Sequence, residues 1–449
     1  HPPELLRDLG AFLGRMDAAL ADFSHPAAAR ELKWDFTRAG WVREHLERIR
    51  DPRRRTLVEG ILDAFDADVA PVLPRLRRGI VHGDANDYNV VVTAGCGHAP
   101  VLAGLIDFGD MLHTITVAEA AIAATYAMFG EADPLAAAAQ VVAGYHGAYP
   151  LTEPEIALLF PLIRTRLAVS VVNSACRAVG EPGDPYLAVS ERPAWDAIEQ
   201  LAAIHPRLAH YTFRAACGLP AVPQSAAVVA WLQSVPGAAA PVLDADLRTS
   251  PCLVFDLSVG SRLLGADPAA LETAALTETL WQEMKAAGVD VGVGRYDEAR
   301  PIYTTDAFAS GGRPTDEHRT VHLGIDLFVP PGSAVHTPLA GTVHCLANNA
   351  AAKDYGPLVI LQHATDEGTP FFTLYGHLSP SCLQRLVVGQ QVARGERIAD
   401  VGAPLGNGDW APHLHLQLVT DLLELDRDFP GVAFASRREV WRSLSPDPN

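Results

Sequence analysis

The hydrophobic period of the chain changes once, and that change limits the fold more than any other feature. From Pro3 to about Leu219, apolar residues recur at steps of three and four, as in Leu5, Leu6, Leu9, Phe12, Leu13, Met16 and Leu20, which marks one face of a helix. From about 318 to 420 the step is two, in short runs such as PLVILQHA, FFTLYGHL and PHLHLQLV split by Gly, Pro and Asp. A helix-period pattern does not settle as a strand, so the chain must hold at least two units of different class. A multidomain α+β fold is expected: an α-rich first unit with a small β-hairpin insert, then an antiparallel β unit.

The boundaries follow from composition. Residues 1–218 form the helical unit, with helices at about 55–75, 116–129, 134–148, 154–178 and 187–216. Strands at 80–92 and 101–108 are joined by the turn TAGCGHAP. Residues 219–317 open on Pro220, Pro223, Pro236 and Pro241 and read as a connector, with helical spacing in ALETAALTETLWQEMKAAG. The β unit spans 318–425, and 426–449 reads as a C-terminal tail or linker. At about 150 residues per domain, 449 residues allow roughly three compact units.

Charge narrows the partners. Lys plus Arg is 35 against 53 for Asp plus Glu, a net charge of −18, which argues against nucleic acid or an anionic membrane as the main partner. No run approaches the roughly 18 apolar residues of a spanning helix. The opening HPPELLRDLG lacks the pattern of a secretory signal and begins with His1, as a cut start would. Six cysteines, at 96, 176, 217, 252, 345 and 382, form no CxxC pair and read as thiols of a reducing compartment, so the cytoplasm is expected.

Two sets of residues carry chemistry. In VHLGID, extended chain puts His322, Gly324 and Asp326 on one face, and Gly324 leaves room for an ion. In PHLHLQLV, His413, His415 and Gln417 face one way while Leu414, Leu416 and Leu418 face the core. An N,N,O set from His322, Asp326 and one of the two later histidines suits Zn²⁺ with a fourth position left for water. LYGHLS adds His377 at the end of a β run.

Together these three segments resemble the lysostaphin-type zinc metalloendopeptidases. The resemblance implies His322, Asp326 and His415 as metal ligands and His413 and His377 beside the metal water. It also implies an amide or peptide substrate. No HExxH glutamate is present, so histidine must move the proton. No tyrosine stands just upstream of His322, Tyr303 being the nearest.

The second set lies in the helical unit. IVHGDANDYNVVV supplies His82, Gly83, Asp84 and Asn89, and GLIDFGD supplies Asp107. Phosphoryl transfer needs a carboxylate to accept a hydroxyl proton and ligands for the metal that holds the nucleotide phosphates. The motifs resemble the C-terminal lobe of the aminoglycoside phosphotransferase, choline kinase and hydroxylysine kinase group. That likeness implies Asp84 as base, Asn89 and Asp107 as Mg²⁺ ligands, His82 as a brace, and ATP as cofactor. An amino alcohol or hydroxylated amino acid would be the acceptor.

Such kinases also use an N-terminal lobe with a nucleotide-covering loop, which nothing ahead of Pro3 supplies, so weak or absent kinase activity is expected of these residues alone. The order of domains resembles large bacterial proteins that join a phosphotransferase, a peptidase-like domain and a class III aminotransferase. An adjacent N-lobe and aminotransferase are the implied partners, with no pyridoxal phosphate site within the chain. A non-catalytic scaffold role is the competing reading. Trp195, Tyr186 and Trp231 read as packing residues and His336, His344 and His363 as structural. Arg166 and Arg177 fall near one helical side, which reads as a solvated or salt-bridged face.

Overall fold

The computed structural model describes residues 1–449 except 96–98, 181–184, 235–238, 266 and 312–315. Cys96 and part of the expected turn TAGCGHAP therefore lie outside the described residues, as does the side chain of Tyr186. The chain divides into two compact units, His1–Leu219 and Pro220–Asn449. No described helix is long and apolar enough to cross a membrane.

The first unit is built on helices. Helix Pro3–Leu20 starts on Pro at its first turn and buries Leu6, Leu9 and Leu13, the stripe that its spacing sets. It crosses helix Pro134–Ala148 at very short range because both contribute glycine. A Cβ at Gly10 would sit 1.9 Å from Val141 O, and one at Gly144 would sit 1.9 Å from Arg7 O. Helix Glu153–Gly180 is the longest element, and Trp195 is buried in the core of this unit.

Three expectations are corrected here. The run 80–92 is not one strand: Arg78–Val81 pairs with Leu112–Ile115, while Val90–Ala94 forms the hairpin with Pro100–Leu105. The HGD segment between them leaves the ladder because Gly83 takes φ +81° and turns the chain. The helix expected at 55–75 ends as Pro52–Ala64 and passes into a π turn, and 187–216 is two helices, Pro185–Leu201 and Pro206–Ala216, with Pro206 opening the second.

The second unit is built on an eight-stranded sheet, with two further two-stranded sheets beside it. Its order is Gln391–Val392, Gly341–Asn349, Gly356–Ala364, Pro370–Gly376, His413–Val419, Ile325–Phe328, Gly292–Gly294, Leu253–Phe255, antiparallel except for the last pair. The last two strands come from the expected connector. Helix Thr273–Ala287 also comes from it and packs Leu276, Leu280 and Met284 with Phe255 and Phe328. Helix Ser225–Ser234 lays Val228 and Trp231 against Phe371 and Leu418. The described residues of 220–317 thus include a sheet edge and helices that cover the sheet.

The expected tail is also integral. Val432–Phe434 pairs with Arg319–His322, and helix Arg438–Leu444 buries Val440, Trp441 and Leu444. The five described cysteines are free thiols.

Candidate functional site

In the second unit, register brings the first pair of site residues together. His413–Val419 runs antiparallel to Ile325–Phe328 with His415 directly opposite Asp326. Residues that face each other across an antiparallel ladder have neighbouring side chains. His322 arrives differently. VHLGID is two strands, Arg319–His322 and Ile325–Phe328, in separate sheets, broken at Leu323 and Gly324. The break is allowed by Gly324, where a Cβ would lie 2.6 Å from Leu416 O and 2.7 Å from His415 Cε1.

The three candidate ligand atoms form a near-equilateral triangle. His322 Nε2 and His415 Nδ1 are 3.0 Å apart, and each is 3.1 Å from Asp326 Oδ1. A tetrahedral ion with bonds of about 2.0–2.1 Å sets its ligand atoms roughly 3.3 Å apart, so the donor set fits Zn²⁺ with little adjustment. All three residues are buried, and they are the group found among the described residues whose donor atoms could share one metal ion.

The hydrogen-bond partners select the tautomers, because a carbonyl oxygen can only accept. His322 Nδ1 donates to Arg295 O at 3.0 Å, which leaves Nε2 as a lone pair facing the triangle. His415 is the reverse: Nε2 donates to Gln417 Oε1 at 3.0 Å and Nδ1 faces in. Gln417 is itself oriented, donating from Nε2 to Pro430 O and Ser445 Oγ. His377 Nδ1 donates to Asn407 O at 2.9 Å and His413 Nδ1 to Ala411 O at 2.6 Å, so both keep Nε2 unprotonated. Their ring centroids lie 4.4 Å apart with the planes tilted by 46°, and His413 Nε2 lies 3.5 Å from Asp326 Oδ1.

Electrostatics follow from burial. Burial, reinforced by Arg300, lowers His322 to about 4. Burial also lowers His413, and burial with the charges of His413 and His415 holds His377 well below the usual imidazole range. Burial opposes ionisation of Asp326, yet His322, His413 and Arg300 hold its carboxyl well below the usual carboxylate range. Neutral imidazoles around a carboxylate are the protonation states a cation needs. His377 takes φ +61°, a sparsely populated conformation for a non-glycine residue that recurs at functional sites.

These residues line a cavity of about 240 Å³ whose walls include Tyr303, Phe308, Tyr355 and Trp410. Burial raises the phenols of Tyr303 and Tyr355, so both remain protonated donors. Tyr355 was not singled out by the motifs, although it precedes a strand by one residue and its ring lies 5.6 Å from that of His415. His336, His344 and His363 stand apart, bonded to Asp244, Asp426 and Thr373.

In the first unit, Asp84 and Asn89 are joined. Asn89 Nδ2 donates to Asp84 O at 2.8 Å and to Asp84 Oδ2 at 3.0 Å. His82 is fully buried, with Nε2 donating to Ile106 O at 3.0 Å and Nδ1 accepting from Asp84 N. Asp107 is exposed with φ +61°, and its Oδ1 accepts from Gly109 N, so it is not hydrogen-bonded into the Asp84 and Asn89 pair.

Of the two arms of the expected solvated or salt-bridged face, Arg166 takes the salt-bridged one. It is 1% exposed, pairs with Asp84 Oδ1 at 3.0 Å, and stacks on Trp34 with its guanidinium 4.7 Å from the ring. Burial raises the carboxyl of Asp84 and Arg166 opposes that rise. Asp84, Arg166, Trp34, Tyr126 and Arg177 line a cavity of about 590 Å³. Arg166, Ser170, Asn173, Ser174 and Arg177 reach it from one helix, a polar stripe at helical spacing that was legible in the sequence.

A helix-rich unit and an antiparallel β unit with a buried His, Asp, His cluster give the chain a multidomain α+β architecture. Residues 320–426 match the Peptidase family M23 and residues 1–157 the Phosphotransferase enzyme family, so a peptidase domain and a kinase-like domain share one chain. The chain is 29% identical over 206 residues to hydroxylysine kinase of Mus musculus, covering 44% of this chain and 54% of the relative. It is 34% identical over 128 residues to an uncharacterized metalloprotease of Haemophilus influenzae, covering 28% and 24%. A zinc-containing peptidase from Vibrio cholerae is 26% identical over 28% of this chain and 36% of its own, with a TM-score of 0.19. The chain spans about half the length of the hydroxylysine kinases that it matches.

Proposed function

We propose that the second unit is a zinc-dependent hydrolase of amide or peptide bonds, with His322, Asp326 and His415 as the metal ligands. The convergence of Nε2, Oδ1 and Nδ1 within 3.1 Å of one another carries this reading. Bound Zn²⁺ would supply Lewis-acid polarisation of a substrate carbonyl and acidification of water. His413 and His377 offer Nε2 lone pairs that take a proton from the attacking water and return it to the leaving amine. Tyr303 offers a phenol O–H group to the wall of the cleft, where a developing oxyanion is to be held, whereas the Tyr355 hydroxyl donates to Phe429 O at 3.1 Å.

The test uses zinc-loaded protein and a panel of short peptides that includes pentaglycine. His413→Ala is expected to retain zinc and to lose about 10²- to 10⁴-fold in turnover, the range that general acid–base groups contribute. If the wild type holds zinc yet cleaves no peptide or amide, the scaffold reading takes its place.

The first unit supports a second reading, ATP-dependent phosphorylation of a hydroxylated amino acid or amino alcohol. Asp84 would accept the acceptor's hydroxyl proton, and Asn89 and Asp107 would hold Mg²⁺. The cavity beside Asp84 and the likeness to relatives named hydroxylysine kinase favour it. This reading includes a nucleotide-covering lobe and an aminotransferase domain as partners on a longer polypeptide, in the cytoplasm. Phosphorylation of 5-hydroxylysine by a polypeptide that includes these residues should vanish in Asp84→Asn, and persistence would exclude Asp84 as base.

A further inference from the structure

The two oxygens of Asp326 have different partners. Oδ1 faces His322 and His415, whereas Oδ2 accepts from Arg300 Nη1 at 2.5 Å. Arg300 is 1% exposed and fixed on its other sides: Nε donates to Glu298 Oε2 at 2.9 Å and Nη2 to Arg295 O at 3.1 Å. Glu298 is held in turn, its Oε1 accepting from Leu257 N at 3.0 Å and from Arg295 Nε at 2.8 Å. Arg295 O also accepts from His322 Nδ1, so one carbonyl orients both the arginine and a histidine. Gly294 makes room, since a Cβ there would stand 2.8 Å from Arg300 Nη2.

We propose that Arg300 is a positioning residue that makes Asp326 a one-oxygen ligand and so keeps one coordination position open. The inference rests on the zinc reading of the preceding section. A carboxylate free at both oxygens can grip a cation with both and fill the position that catalysis needs. A charge-assisted bond at Oδ2, anchored by a buried arginine that cannot swing, opposes that rotation. The guanidinium also offsets the negative charge of Asp326, which leaves more of the ion's charge to act on a substrate carbonyl. Arg295, Glu298 and Arg300 all precede residues 320–426, so this support comes from outside the segment matched to the peptidase family.

The test is the visible spectrum of the full chain stripped with a chelator and reloaded with Co²⁺. The wild type should show intense four-coordinate d–d bands. Arg300→Met should lose that intensity severalfold as Asp326 turns both oxygens to the ion, and Arg300→Lys, which keeps a donor, should recover most of it. Identical spectra for wild type and Arg300→Met would overturn the proposal. A crystal structure of the zinc-loaded wild type decides the matter without any variant: Oδ2 retained on Arg300 supports it, and Oδ2 swung onto the ion overturns it. A wild type that binds neither Co²⁺ nor Zn²⁺ would sink the metal reading itself, a failure distinct from a bound ion of unaltered coordination.

Discussion

His322 Nε2 and His415 Nδ1 lie 3.0 Å apart although 93 positions separate them, and the other ring nitrogen of each donates to a carbonyl oxygen, Arg295 O for one and Gln417 Oε1 for the other. Two lone pairs aimed at one point in a buried site favour a cation there. Zinc at a thousandfold its dissociation constant should stabilise the folded protein by about 4 kcal/mol. For a unit of this size that raises the midpoint of its thermal transition by about 10 °C. Scans with zinc and with chelator measure the shift, which His415→Ala should abolish. An equal shift in that variant would place the ion elsewhere.

Gly324→Ala should disturb the same site without replacing a candidate ligand. The new methyl would meet Leu416 O at 2.6 Å and the His415 ring at 2.7 Å. Backbone and a packed ring give way poorly, so a cost of about 1–3 kcal/mol and a clear loss of zinc affinity are expected. Competition with a chromophoric chelator reads the affinity. Wild-type affinity in the variant would show that the ring moves aside freely.

A second pair of glycines tests the helical unit. Gly144→Ala would place a methyl 1.9 Å from Arg7 O and force two helices apart, at about 1–3 kcal/mol. Gly60→Ala is the control. It lies in helix Pro52–Ala64 with nothing within 4 Å, and alanine there should add about 0.5–1 kcal/mol of stability through helix propensity. Urea titration of both variants distinguishes the outcomes, and equal effects would contradict the close crossing.

Stability of the helical unit should fall as pH rises. Burial, with Glu119 adding, raises Asp17 to about 9, against 3.8 in the unfolded chain, while its bond from Tyr145 Oη at 2.6 Å pulls the other way. The native state keeps a proton that the unfolded chain releases. The group therefore costs nothing below pH 3.8 and progressively destabilises the fold from there up to about pH 9. The loss is on the order of a few kcal/mol. Asp17→Asn keeps an acceptor for Tyr145 and should flatten the slope, leaving the variant the more stable at pH 8. Parallel curves for variant and wild type from pH 5 to 8 would show that Asp17 is not the group responsible.

Much of the site was legible because local chemistry announces itself. The alternation in PHLHLQLV sets its histidines on one face and the HGD turn sets Asp84 near Asn89, whereas VHLGID, read as one extended face, is two strands in separate sheets broken at Gly324. The helix periodicity of Pro3–Leu20 likewise appears as the buried stripe Leu6, Leu9 and Leu13. What was misread depended on partners far along the chain. The connector 219–317 has no alternation of its own beyond three residues at a time, so its strands Leu253–Phe255 and Gly292–Gly294 became visible only once a sheet edge stood beside them.

The sequence alone determined that one part of the chain is helical and another built of short strands, and which residue types carry the chemistry of each. Those follow from side-chain period and from turn residues, which act over a few positions. Spacing alone left His413 and His415 open and the family resemblance pointed to His415; in the tertiary structure the register sets His415 opposite Asp326 and Gln417 fixes its tautomer. Tertiary structure also decided that Arg166 grips Asp84 and that Arg300 grips Asp326. A buried ion pair is chosen by which distant segments exclude water together, and no local spacing encodes that.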